Sequence, residues 1–130
     1  MLNLSQSRIG QIAVVCKDVA RGSAFYRDVL GLRHLFDAGP SLSFFDCSGI
    51  RLMLSTAEGA ESRFDHPGSM LYFFVSDIEG VQRDLAAKGV EFFEQPHMIA
   101  RLPDRDVWLT AFNDSEGNPM GIMEERKHSA

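Results

Sequence analysis

Few side chains in this sequence are spaced so that they could do chemistry together. The four histidines, His34, His66, His97 and His128, are scattered, with no HxH or HxxxH spacing to set two on one face for a metal. Ser41, Ser43 and Ser55 lie in no nucleophile motif, and neither GxSxG nor a phosphate-binding glycine loop occurs. Glu124 and Glu125 close an apolar run and read as solvated strand-end carboxylates. Three groups remain. His97 is the best base by intrinsic pKa. Tyr72 is a candidate acid or hydrogen-bond donor. Arg51 has the planar fork that grips a carboxylate or phosphate bidentately. Each also has a plainer role open to it: an exposed hairpin residue for His97, a packed aromatic for Tyr72, and pairing with a nearby acid or snorkelling to a rim for Arg51. No cofactor is implied by these residues.

The elements that must carry them follow from the chain's own repetition. RIGQIAVVCKD at 8–18 is an apolar run ending in Asp18 and followed by a helical stretch, and PGSMLYFFVSD at 67–77 does the same with Asp77. Superposing the two aspartates sets Gln11 on Met70, Ile12 on Leu71, Val14 on Phe73 and Val15 on Phe74. Both aspartates are good helix N-caps. The helical stretches then end at Gly31 and Gly89, where a left-handed C-cap needs glycine. The first half continues with strands at 32–36, 41–47 and 50–55. The second continues with strands at 90–94, 107–113 and 119–124, and 97–102 extends the first of these into a hairpin turning at Pro103-Asp104. Each half therefore reads βαβββ. Residues 1–130 form one domain, with modules at 8–55 and 69–125 joined by a polar linker at 56–68. The terminal KHSA reads as a frayed tail.

Bulk properties narrow the classes. A chain of 130 residues can bury a core without disulfides or metal. A net charge of −5 argues against general attraction to nucleic acid or anionic membranes. No apolar run is as long as a membrane span, and MLNLSQSRIG lacks a basic stretch followed by an apolar core. Cys16 and Cys47 stand outside any CxxC motif and read as reduced, half-buried thiols. A cytoplasmic location is expected.

Three segments, IAVVCKDVARGSAFYRDVLGL at 12–32, FVSDIEGVQRDLAAKGVEF at 74–92 and FNDSEGNPMGIME at 112–124, resemble the vicinal oxygen chelate superfamily of glyoxalases, bleomycin-resistance proteins and extradiol dioxygenases. The resemblance implies an α+β fold in which two tandem βαβββ modules form a curled mixed sheet around an open cleft. It also implies a homodimer. Metal-using members hold one divalent ion with a His in the first strand, a Glu ending module one, a His or similar residue opening module two, and a Glu in the final strand. Those positions are Gln11, Met53, Met70 and Gly121. Gln11 and Met70 each lie seven residues before a capping aspartate, and Met53 and Gly121 each lie four after a turn glycine. The amide oxygen of Gln11 is one hard donor, methionine thioethers suit Cu(I), and glycine offers none. Glu125 is roughly 13 Å along the strand from Gly121. No metal is therefore expected.

Strand alternation then fills the cleft with Gln11, Arg51, Met53, Met70, Tyr72, Phe74, Gly121 and Met123. Ile12, Val14, Leu52, Leu54, Leu71, Phe73, Met120 and Ile122 face the helices. Trp108, with Thr110 and Phe112 on its side of the strand, is either a stacking wall or core. His97 lies on a long hairpin with Arg101 and Asp104 that could fold over the cleft mouth. An apolar concavity with a few polar groups is the usual makeup of a small-molecule pocket. The leading expectation is a metal-free cleft that sequesters a small organic ligand. The alternative is a lyase, isomerase or dioxygenase of the same superfamily, using a divalent metal or acid–base work by Tyr72 or His97. A protein-interaction module with a vestigial cleft is a third class.

Overall fold

The computed structural model describes residues 5–6, 8–56 and 70–128. Most of the expected linker, together with His66 and the last two residues, lies outside that range. The chain divides into two compact units between residues 66 and 67.

The first unit runs β1 (Gln11–Val15), α1 (Val19–Ala24), a π-helical turn (Phe25–Val29), β2 (Arg33–Asp37), β3 (Leu42–Cys47) and β4 (Ile50–Ser55). The second runs β5 (Leu71–Phe74), α2 (Ile78–Ala87), β6 (His97–Arg101), β7 (Arg105–Asn113) and β8 (Pro119–Lys127). Each unit is βαβββ. The sheets have the orders β1-β4-β3-β2 and β5-β8-β7-β6, and in each the first strand pairs in parallel with the last while the other neighbours are antiparallel. The fold is α+β, with two four-stranded mixed sheets. Among the described residues no helix is long and apolar enough to cross a membrane.

The aspartates that define the repeat do cap the helices. Asp18 accepts from Arg21 N and Asp77 from Gly80 N, both at 3.0 Å. Gly31 and Gly89 follow the helical segments at φ of 77° and 93°, a region that favours glycine.

The repeat also fixes the register. Ala13 stands opposite Met53 in the first unit as Tyr72 stands opposite Gly121 in the second. Cys16 N donates to Ser55 O, and Val75 N, its counterpart, donates to Met123 O, the counterpart of Ser55. The alignment of Gln11 with Met70 and of Met53 with Gly121 is thus carried by matching ladder positions.

Each sheet packs one face under its helix. In the first unit Val14, Phe45, Leu52 and Leu54 are buried there with Tyr26, whose ring centroid lies 6.0 Å from that of Phe45. In the second, Ile78 of α2, Phe112, Met120 and Ile122 fill the same layer. Fully burying one large apolar side chain contributes about 1.5–3 kcal/mol, so these layers dominate each unit's stability.

Four details depart from the sequence reading. The first helix is α-helical only to Ala24 and then widens, with Leu30 N donating to Phe25 O and Leu32 N to Tyr26 O. An added residue per turn leaves no mark on a 3.6-residue pattern. The strand expected at 90–94 is reduced to one bridge between Phe92 and Phe112. Pro96, which has no N–H for a ladder, falls between that bridge and His97, where the edge position passes to β6. The last strand runs on to Lys127, and His128 is no frayed residue: its N donates to Asp104 O, and its Nε2 lies 2.8 Å from Asp106 Oδ1. Glu124, finally, is buried, for a reason given below.

Candidate functional site

In the first unit, the face turned away from α1 carries a short polar chain set in apolar surroundings. Gln11 on β1 and Arg51 on β4 are neighbours in the parallel ladder. Arg51 Nε donates to Gln11 Oε1 at 2.7 Å, and Gln11 Nε2 points to Met53 Sδ at 3.8 Å. Phe44, opposite Met53 on β3, puts its ring centroid 5.7 Å from Arg51 Cζ. Phe36 on β2 stacks on Phe44 with centroids 4.5 Å apart and planes 23° from parallel. The structure therefore brings Gln11, Arg51 and Met53 together, as alternation requires, and adds Phe44 and Phe36. The signal for Phe44 was the Phe44-Phe45 pair, since adjacent strand residues face opposite sides and only one could pack under the helix.

The corresponding face of the second unit is aromatic and largely uncovered. Tyr72 is 49% exposed and Phe74 63% exposed, with Phe74 opposite Met123. Gly121 is buried directly beneath the Tyr72 ring. A Cβ placed on Gly121 would lie 2.6 Å from Tyr72 Cε2 and nearer still to Cδ2. Met70 is half-buried just before β5.

Trp108 is not on that face. It pairs with Glu124 and lies with Thr110 and Phe112 on the helix side, its ring 4.1 Å from Arg126 Cζ. Of the two roles open to it, a stacking wall of the ligand face is therefore corrected to a place in the helix-side layer. The parity that groups it with Thr110 and Phe112 separates it from Tyr72. Its neighbour Glu124 is a buried structural group. Its Oε1 accepts from Ile78 N at 2.8 Å at the start of α2, and its Oε2 accepts from Arg126 Nε at 2.8 Å. Arg126 also clasps Glu79, and that hydrogen bond holds the Glu79 carboxyl below its ordinary pKa. On β2, a hydrogen bond from His34 lowers Asp37 in the same way.

His97 is exposed, with Nδ1 2.9 Å from its neighbour Gln95 O and Nε2 3.9 Å from Glu94. The Gln95 carbonyl can fix the tautomer of the ring, and Glu94 is an acidic side chain near its other nitrogen. On the helix side of the first unit, Val19, Ser23, Arg27, Asp37, Pro40 and their neighbours line a groove of about 340 Å³. None of the sequence-predicted site residues reaches it.

The residues at the positions where the resemblance implies metal ligands do not fit a metal centre. Gln11 directs its oxygen to Arg51, Met53 presents a thioether, and at Gly121 a ring fills the space a ligating side chain would need. Among the described residues no group of three His, Cys, Asp or Glu side chains is placed to hold an ion.

With this geometry in view, comparison with known proteins is specific about kinship. The family model for the Glyoxalase/Bleomycin resistance protein/Dioxygenase superfamily matches residues 8–120. The chain belongs to that superfamily. Solved structures agree on the fold. A lactoylglutathione lyase from Agrobacterium tumefaciens is 23% identical over 92% of this chain and 95% of its own, with a TM-score of 0.70. A superfamily member from Sphaerobacter thermophilus is 20% identical over 92% and 98%, with a TM-score of 0.74. TnmS3, an antibiotic binding protein from a Streptomyces species, is 19% identical over 95% and 99%, with a TM-score of 0.72. Comparison with curated proteins gives no match.

Proposed function

We propose that this protein binds a small organic molecule without a metal ion, on the sheet faces that carry Gln11, Arg51 and Met53 in the first unit and Met70, Tyr72, Phe74, Gly121 and Met123 in the second. The observation that carries this reading is the replacement of ligand chemistry by packing chemistry at matched ladder positions. Where metal-using members hold an ion, this chain has a thioether beside an amide–guanidinium pair, and a glycine under a tyrosine ring. Methionine and aromatic side chains give adaptable apolar contact, while Gln11 and Arg51 supply direction. The antibiotic-binding relative of like fold adds support for sequestration.

A homodimer is part of the proposal. Phe74, Phe93 and Ile99 are each more than half exposed, and partner contact would remove that apolar surface from water. Sedimentation equilibrium tests this directly, with twice the chain mass expected and the single chain mass contradicting it. A cytoplasmic location is also part of the proposal, favoured by Cys16 and Cys47 standing outside any disulfide. Nucleic acid is not a proposed partner for a chain of net charge −5.

Thermal-shift screening with aromatic and acidic metabolites tests the binding itself, because a ligand of the native state alone must raise the melting temperature. Absence of any shift across such a panel would sink the proposal.

A further inference from the structure

We infer that the ligand of the Arg51 face is a planar aromatic anion, an aryl carboxylate or its equivalent, and that Arg51 reads its charge. This rests on the small-molecule reading above and narrows its ligand class. Arg51 is an exposed cation on the sheet, yet its orientation is fixed from two sides. Its Nε is bonded to Gln11 Oε1, and its Cζ lies 5.7 Å from the centroid of Phe44. Gln11 is itself turned by Met53 Sδ. A guanidinium has five N–H donors, and the bond to Gln11 uses only the one on Nε. The two Nη nitrogens remain, along the edge that meets both oxygens of a carboxylate.

Among the described residues the cation also meets no acid of its own. Asp46 stands opposite Arg51 in the β3–β4 ladder, but its Oδ1 accepts from Gly49 N at 3.2 Å across the turn. Among the described residues no carboxylate forms an ion pair with Arg51. Arg27, Arg105 and Arg126 each meet a carboxylate, whereas Arg33, Arg83 and Arg101, like Arg51, meet none among the described residues, and Arg51 is set apart by the bond to Gln11 and the ring contact that fix its direction. In a chain with more acids than bases, an oriented arginine left without an acid is a place for an anion from outside. Beside it the stacked Phe44–Phe36 pair, with Phe36 46% exposed, offers an aromatic ledge for the body that carries the charge.

The test compares 2-naphthoate with 2-naphthamide, alike in shape and different in charge. Both are titrated into the full chain and its Arg51→Gln variant while arginine Nε–H and backbone amide resonances are followed. The wild type should take naphthoate at least about tenfold more tightly than the amide, a difference of about 1.4 kcal/mol. At equal saturation the Arg51 Nε–H resonance should move further with naphthoate than with the amide. In the variant the preference should vanish, and unaltered backbone amide spectra away from the face would verify that it is folded. Equal binding of the two probes by the wild type, or a preference that survives in Arg51→Gln, overturns this inference and leaves the small-molecule reading standing. Failure of both probes to bind also overturns it. If neutral ligands fail as well, the broader reading falls with it.

Discussion

The ring of Tyr72 lies over Gly121, its partner in the parallel β5–β8 ladder, in the space that a side chain at that position would occupy. Gly121 has no positive φ, so its lack of a Cβ is needed for room and not for backbone freedom. Gly121→Ala should destabilise the protein by about 1–3 kcal/mol, the usual range for overpacking. Most of that loss should disappear in a Tyr72→Ala background. Urea denaturation of the two single variants and the double variant measures the coupling. Additive effects would mean that the ring and the glycine do not share the space.

Glu124 gives a second expectation. Its carboxylate joins β8 to the first turn of α2 through Ile78 N and also holds Arg126. Glu124→Ala should cost about 1–3 kcal/mol, because a buried N–H loses its acceptor. Glu124→Gln keeps an oxygen for Ile78 and should lose less. Equilibrium unfolding of both variants checks the order, and hydrogen exchange at Ile78 locates the effect.

The acid limb of stability should depend on Glu79 and Asp37. Both carboxyls are lowered in the folded chain, Glu79 chiefly by its hydrogen bond from Arg126 and Asp37 chiefly by that from His34. A depressed folded pKa adds stability that is complete above the unfolded value and is lost as pH falls through the folded one. The stability gap between wild type and Glu79→Gln should therefore narrow as pH is taken from about 6 to about 3, across the ordinary carboxylate range. Both groups are exposed, so added salt should shrink the gap at the upper pH. A gap that widens toward acid would contradict the assignment.

Much of this architecture was legible because the chain states it twice. Asp18 with Gly31, and Asp77 with Gly89, bracket the helices, and each pair marks a cap that only a few residue types can make. Alternation placed Gln11, Arg51 and Met53 on one face and Leu52 and Leu54 on the other. Longer-range relationships were not legible. The burial of Glu124 depends on α2 arriving with an unpaired N–H, which a residue 46 positions away does not announce. Phe36 joins Phe44 only because β2 shifts register between His34 and Phe36. Trp108 was ambiguous for a related reason: parity fixes which residues share a side, and the identity of that side is set by the helix packed against it.

The central claim is that ligand binding here needs no divalent metal. The most direct measurement is the ligand-induced shift in melting temperature, taken on protein purified without chelator and repeated in excess chelator. A ligand at a hundredfold its Kd should stabilise the native state by about 2.7 kcal/mol. The account predicts the same shift in both solutions. A shift that chelator abolishes and an added divalent ion restores would contradict it.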